Sequence, residues 1–233
     1  SEMCIRDRYY GNVAIPALLI AEQDRIRGVL SDTQLQQISQ SSRMLVANLE
    51  QIADEEEDNE ETVSVGALSD NEDSKVLQIP AGEKKSIICL GGRGPFDDVT
   101  AAMLAQVLSV QAAETKVIDQ ERTQPSQLRK EDIAGATAIV LCVLDLDSAR
   151  RAKFSLRRLR RLNPAARIGL ALWQTAANET IFDRKKLQQE SQADFLALNL
   201  LEATIECLSD AKPKVFENMR PTILRKLPGK PNG

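Results

Sequence analysis

Apolar residues follow one rhythm before residue 54 and another after residue 85. In the first stretch they recur every three or four positions, the period of a helix that buries one face. Ala17, Leu18, Ile20 and Ala21 form such a face behind Pro16. Proline lacks an N–H that a first helical turn does not need, so a helix is predicted to open there. Arg25 and Arg27 suit the negative end of that helix, and Gly28 suits its stop. Ser31 followed by Gln34 is a capping-box pattern. Leu35, Ile38, Leu45, Leu49 and Ile52 then continue at helical spacing. Residues 9–53 therefore read as a partial helical cap of two amphipathic helices. Two helices do not close a bundle, so partners are expected upstream.

From Lys85 short continuous apolar runs alternate with amphipathic ones. Strands are predicted over 86–90, 116–119, 138–144, 167–173 and 194–198, and helices over 99–110, 148–162 and 200–209. The run AIVLCVL at 138–144 is β-branched and bounded by Gly135 and Asp145, as a strand buried on both faces would be. Such strands joined by helices imply a parallel, doubly wound sheet, and five of them favour the flavodoxin-like order. The predicted class is α/β: a flavodoxin-like five-strand parallel sheet over 85–211, preceded by the helical cap.

Between the two rhythms lies DEEEDNEE at 54–61, seven acids in eight positions. Self-repulsion and scarce apolar groups predict an acidic disordered linker over 54–84. The alternative is an autoinhibitory strip that docks on a basic surface. Pro213, Pro221, Pro228 and Pro231 make 212–233 a basic, proline-rich flexible tail by the same logic. Residues 1–8, SEMCIRDR, resemble the translation of a transposase sequencing adapter joined to a metagenomic read. They carry no fold signal, and the natural chain is expected to extend upstream. No apolar core follows their charges, so they are not a signal peptide. The longest apolar runs, 13–21 and 138–144, fall short of the ~20 residues that span a bilayer. A soluble, cytoplasmic segment is expected.

Composition narrows the chemistry. The chain has no histidine, which removes the commonest metal ligand and proton shuttle near neutral pH. A Ser-His-Asp or Cys-His arrangement is excluded with it. Cys89, Cys142 and Cys207 form no CxxC pair, and the first two sit in apolar strand-like runs, where a buried thiol acts as a small hydrophobe. The formal charge of −4 is uneven: residues 1–85 hold 17 acids and 8 bases, the remainder 17 acids and 22 bases. The two halves are suited to attract each other, or the basic half to face another anion.

The stretch 10–30, with its Ile15-Pro16-Ala17-Leu18 core and Arg27-Gly28 pair, resembles the helical cap of corrinoid-binding modules. A closer resemblance, carried by the run Ala21-Glu22-Gln23-Asp24-Arg25, is to a cytoplasmic C-terminal extension of autoinducer-2 exporter family permeases. It covers 10–52 well and 86–209 loosely. It implies a transmembrane permease domain upstream, an inner-membrane-associated location, and a non-catalytic regulatory or interaction role. A soluble corrinoid-type or other small-ligand sensor is the alternative. Cobalamin modules carry a DxHxxG motif after the first strand, and here the matching positions are Pro95, Asp97 and Thr100. The glycines such modules place after the fourth strand are replaced in Ala171-Leu172-Trp173-Gln174. With the ligand histidine absent, no cobalamin and no other cofactor is expected.

Three groups of side chains remain as candidates. Gly91, Gly92 and Gly94 lie where a strand-to-helix turn could cradle a phosphate. Asp97 and Asp98 then occupy the first helical turn, where they satisfy the helix dipole and would repel that phosphate. A tight turn with acidic capping is the plainer reading. With Asp145 and Asp147, these acids could instead gather around a cation, or Asp147 or Ser148 could simply cap the next helix. The strongest surface signal is Arg150, Arg151, Lys153, Arg157, Arg158, Arg160 and Arg161, seven cations in twelve positions with no acid among them. A solvated helix face accounts for such a run. An anionic partner is the alternative: inner-leaflet lipid, the acidic linker, or nucleic acid. Lipid attracts at about 1 kcal/mol per nearby cation. Nucleic acid is disfavoured because stacking aromatics are scarce.

Overall fold

A computed structural model describes residues 5–59, 79–124, 126–174 and 182–216. Five parallel strands form one sheet: β1 (Ser86–Gly91), β2 (Glu114–Ile118), β3 (Ala138–Val143), β4 (Arg167–Leu172) and β5 (Phe195–Ala197). Their order, β2-β1-β3-β4-β5, is the flavodoxin-like one. Ile88 pairs with Ile139, and Ile139 with Ile168, so apolar residues face each other across the centre. Strand alternation divides two cores. Ile87, Cys89, Val140 and Cys142 face one side, and Leu90, Ile139, Leu141 and Val143 face the other.

The first side is covered by α4 (Pro95–Val110) and α8 (Leu200–Leu208). Over α4 lie the cap helices α2 (Ile15–Ile26) and α3 (Asp32–Asn59). Tyr10, Leu18, Leu19 and Val46 join the same apolar cluster as Val99, Met103, Leu104 and Val107. The cap thus finds its packing partner in α4, within this chain. The Tyr10 hydroxyl donates to Gln106 Oε1 at 2.5 Å, and Gln106 Nε2 donates to the Val46 carbonyl, so one buried side chain pins both ends of the cap.

Pro16 does not begin its helix. Helix α1 (Ile5–Tyr9) runs into a π-helical turn (Tyr10–Ala14), whose last bond is Ile15 N–H to the Tyr10 carbonyl. The wider turn shifts the ladder just before the residue that has no N–H to give. Helix α2 stops as expected at Gly28, with φ +71°. Ser31 and Gln34 exchange the reciprocal bonds of a capping box. The backbone of α3 continues to Asn59, six residues into the stretch assigned to a linker. Glutamate is a good helix former, and the two turns before it supply a nucleus. Residues 60–78 lie outside the described residues. Past them, Ile79 packs against the first core, and Gly82 N–H donates to the Gln111 carbonyl.

The second side carries α5 (Leu146–Arg151), α6 (Lys153–Leu162) and α7 (Arg184–Ser191). Where one basic helix was predicted, Ala152 separates α5 from α6. Among the described residues the crossover from β2 to β3 has no α-helix, and a 3-10 turn lies at Glu131–Ile133. Residues 212–216 are also not free of the fold. Lys214 N–H donates to Asp194 Oδ1 at 2.7 Å, and Phe216 stacks on the Arg160 guanidinium. The rest of the predicted tail, 217–233, lies outside the described residues. Among the described residues no helix is long and apolar enough to cross a membrane.

Candidate functional site

In this strand order the ligand crevice lies at the carboxyl ends of β1 and β3, where the connections diverge to opposite faces. Gly91, Gly92, Gly94, Asp97, Asp98 and Asp145 are all there, with Asp97 and Asp98 buried. Asp97, at the third position of α4, is 3% exposed. Its Oδ2 accepts from Arg93 N–H (2.8 Å) and Gly94 N–H (3.2 Å), and its Oδ1 from Leu144 N–H (3.0 Å). One carboxyl thereby closes its own loop and ties it to the loop after β3. Burial, reinforced by nearby Glu22, pushes this carboxyl up to about 7 against the opposing pull of those N–H donors.

Asp98 does the same for the loop after β2. Its Oδ1 accepts from Gln120 N–H at 2.7 Å, and its Oδ2 pairs with Arg43 of the cap at 3.0 Å. Burial pushes it up to about 6, with Asp119 and Glu121 adding to the rise and the Gln120 bond and Arg43 opposing it. Arg43 also reaches Asp119 at 3.9 Å. Glu22, buried on α2, pairs with Arg25 at 2.5 Å, and the bond to Glu22 chiefly holds the Arg25 guanidinium charged, with Asp145 and Asp97 contributing. Asp145 caps α5 by accepting from Ser148 N–H.

The glycines serve these carboxylates. A Cβ on Gly91 would overlap Asp98 Oδ1, and one on Gly92 would lie 2.9 Å from Asp97 Oδ2 and 2.8 Å from the Cys142 carbonyl. Gly94, the residue before α4, has open space where a Cβ would go. The four acids considered as a cation cluster do not converge, because each faces a different partner. Among the described residues no group of three or more acids or thiols is arranged to hold a metal ion. Cys89, Cys142 and Cys207 are buried and unpaired, and burial pushes the Cys207 thiol up to about 12.

The basic run divides under the same scrutiny. Arg160 is not a surface group: it is 5% exposed and pairs with the buried Asp194 at 3.0 Å. Arg157 donates to Gln192 Oε1, and Arg158 donates to the carbonyls of Thr123 and Leu128. These two hold neighbouring segments, because a helix packed between them brings their carbonyls within reach. Arg150 pairs with Asp147 at 3.3 Å. Arg151 and Arg161 are exposed and Lys153 is half-buried, and Phe154 on the same helical stretch is 78% exposed.

A feature that sequence reasoning missed lies on the sheet face opposite the cap. A cleft of about 460 Å³ opens between the β1–α4 loop, the segment after β2, and α5. Gly92, Arg93, Gln120, Thr123, Ser148 and Arg151 are among its walls. Arg93 carried no signal of its own, standing alone among glycines. Comparison with protein-family models, curated proteins and solved structures returns no match.

Proposed function

We propose that this chain is a non-catalytic regulatory or interaction domain of an autoinducer-2 exporter-like permease, cytoplasmic and held at the inner membrane by the transport domain. The observation that carries the non-catalytic part is the internal use of Asp97, Asp98 and Asp145. Each already serves as acceptor for backbone N–H groups, which engages these three candidate acids within the protein. The permease part rests on the resemblance of 10–52. Sequencing the gene across residues 8–9 from an independent source tests it. Several apolar spans upstream are expected, and a soluble domain there overturns the reading.

No corrinoid is assigned to the domain. The place of the ligand histidine is taken by Asp97, buried against three N–H donors, and the end of β4 is filled by Trp173, which is 1% exposed. Titration with cobalamin is expected to leave its visible spectrum unchanged; a shift would restore the sensor alternative in its corrinoid form. The proposed outer partner is anionic inner-leaflet lipid, met by Arg150, Lys153 and Arg161 of α5 and α6. The acidic segment 54–61 is the competing partner for those cations. Nucleic acid is not expected. The small-ligand alternative has one observation in its favour, the cleft opposite the cap.

A further inference from the structure

We propose that this cleft binds an organic phosphate monoester, its phosphate held by Arg93 and Arg151 and its apolar body lying toward Phe154. The position is the one at which doubly wound sheets take ligands. The space exists because, among the described residues, the β2–β3 crossover has only a 3-10 turn where a helix would cover β1 and β3. The cavity, at about 460 Å³, falls in the usual range for small-molecule sites. It adjoins a smaller apolar pocket of about 110 Å³ with which it shares Thr123, Leu141 and Ser155. Leu90, Leu128, Phe154 and Leu159 line that pocket.

The charge of the walls selects the ligand. Two arginines and several neutral polar side chains line the cleft, and among the described residues no carboxylate does. Asp97 and Asp98, which the sequence set against a phosphate in this loop, are buried behind the wall, where they accept from the N–H groups of Arg93 and Gln120. Arg157, Arg158 and Arg160 are engaged with protein acceptors. The guanidinium groups of Arg93 and Arg151 make no hydrogen bond or ion pair with the described residues. They come from separate elements, and a phosphate monoester dianion, with three terminal oxygens and a double charge, gains more from two such forks than a singly charged carboxylate does. Ser148 and Ser155 offer hydroxyls for a remaining oxygen, while the Thr123 hydroxyl donates to the Gln120 carbonyl. The apolar pocket gives an ester an advantage over free phosphate.

This inference does not rest on the permease reading and holds whatever precedes Tyr9. Phenyl phosphate is the probe, titrated at constant ionic strength and followed by calorimetry and by amide NMR shifts. Single-site binding is expected, with shifts concentrated at 92–93, 120–124 and 148–155. Arg93→Gln and Arg151→Gln are each expected to weaken it about tenfold, the loss of a charge-assisted bond. Phe154→Ala should weaken phenyl phosphate and leave inorganic phosphate unaffected. All three residues are exposed, so circular dichroism should match the parent in every variant. Unchanged affinity in both arginine variants overturns the site. Equal binding of benzoate overturns the phosphate assignment, and an absence of shifts up to about 10 mM probe overturns the proposal altogether.

Discussion

Gly91 and Asp98 act as a pair. The carboxylate sits where a Cβ at position 91 would be, and its backbone Cα is 3.0 Å from that point, so the helix cannot simply rotate the group away. Gly91→Ala is expected to expel Asp98 from its bond with Gln120 N–H and from Arg43. The cost is about 2–4 kcal/mol, combining overpacking with an unsatisfied N–H, and chemical denaturation measures it. Asp97 makes a pH prediction. An unfolded aspartate titrates at about 3.9, and the folded one at about 7, so the native state binds the proton more tightly. The stability this gives is complete below pH 4 and is lost as pH rises through 7, with Asp98 adding the same sign through about 6. Urea unfolding between pH 5 and 8 should therefore show falling stability, by on the order of 3 kcal/mol. The slope should shrink in Asp97→Asn. A flat profile in the parent would mean that three N–H donors keep Asp97 ionised despite its burial.

At the scale of elements, the central strands and α4 were legible because their apolar runs are long and buried on both faces. Helix α7 was not: RKKLQQES offers only Leu187 to the core, and its start depends on Asp183 accepting from Lys186 N–H. The missing crossover helix was equally hidden, since 119–136 holds only Leu128 and Ile133 as large buried anchors. The roles in the basic run were misjudged for a different reason. Sequence counts charges, whereas Arg158 is placed by the carbonyls of Thr123 and Leu128, some 30 residues away. The candidate site was legible in position but not in direction, because nothing in GGRGPFDD tells an aspartate facing a ligand from one closing its own loop. Arg158→Ala is expected to loosen the crossover, leaving two carbonyls without this donor. Amide exchange in 121–133 should accelerate while β3 stays protected, at a stability loss of about 1–3 kcal/mol.

At the scale of the whole molecule, charge is arranged to lock the far edge of the sheet and leave one helical flank open. Asp194 accepts from Ile168 N–H and Lys214 N–H and pairs with buried Arg160, joining β4, the segment after α8 and α6 at one point. Removing one partner of such a pair strands the other charge, so Arg160→Met should cost about 3–5 kcal/mol. It is therefore a poor probe of any surface role. Arg157 and Arg158 are poor probes because each holds acceptors of neighbouring segments. The membrane contact is instead tested by reversing Arg150 and Arg161 to glutamate, which disturbs one exposed ion pair and no buried bond. With about 1 kcal/mol of attraction per cation near an anionic surface, the double reversal should lower sedimentation with phosphatidylserine vesicles more than tenfold at low salt. Thermal stability should stay within about 1 kcal/mol of the parent. Sedimentation that is unchanged by the reversal would place the anionic partner elsewhere, and the acidic run at the C-terminal end of α3 would then be tested by neutralising Asp54, Glu55, Glu56 and Glu57.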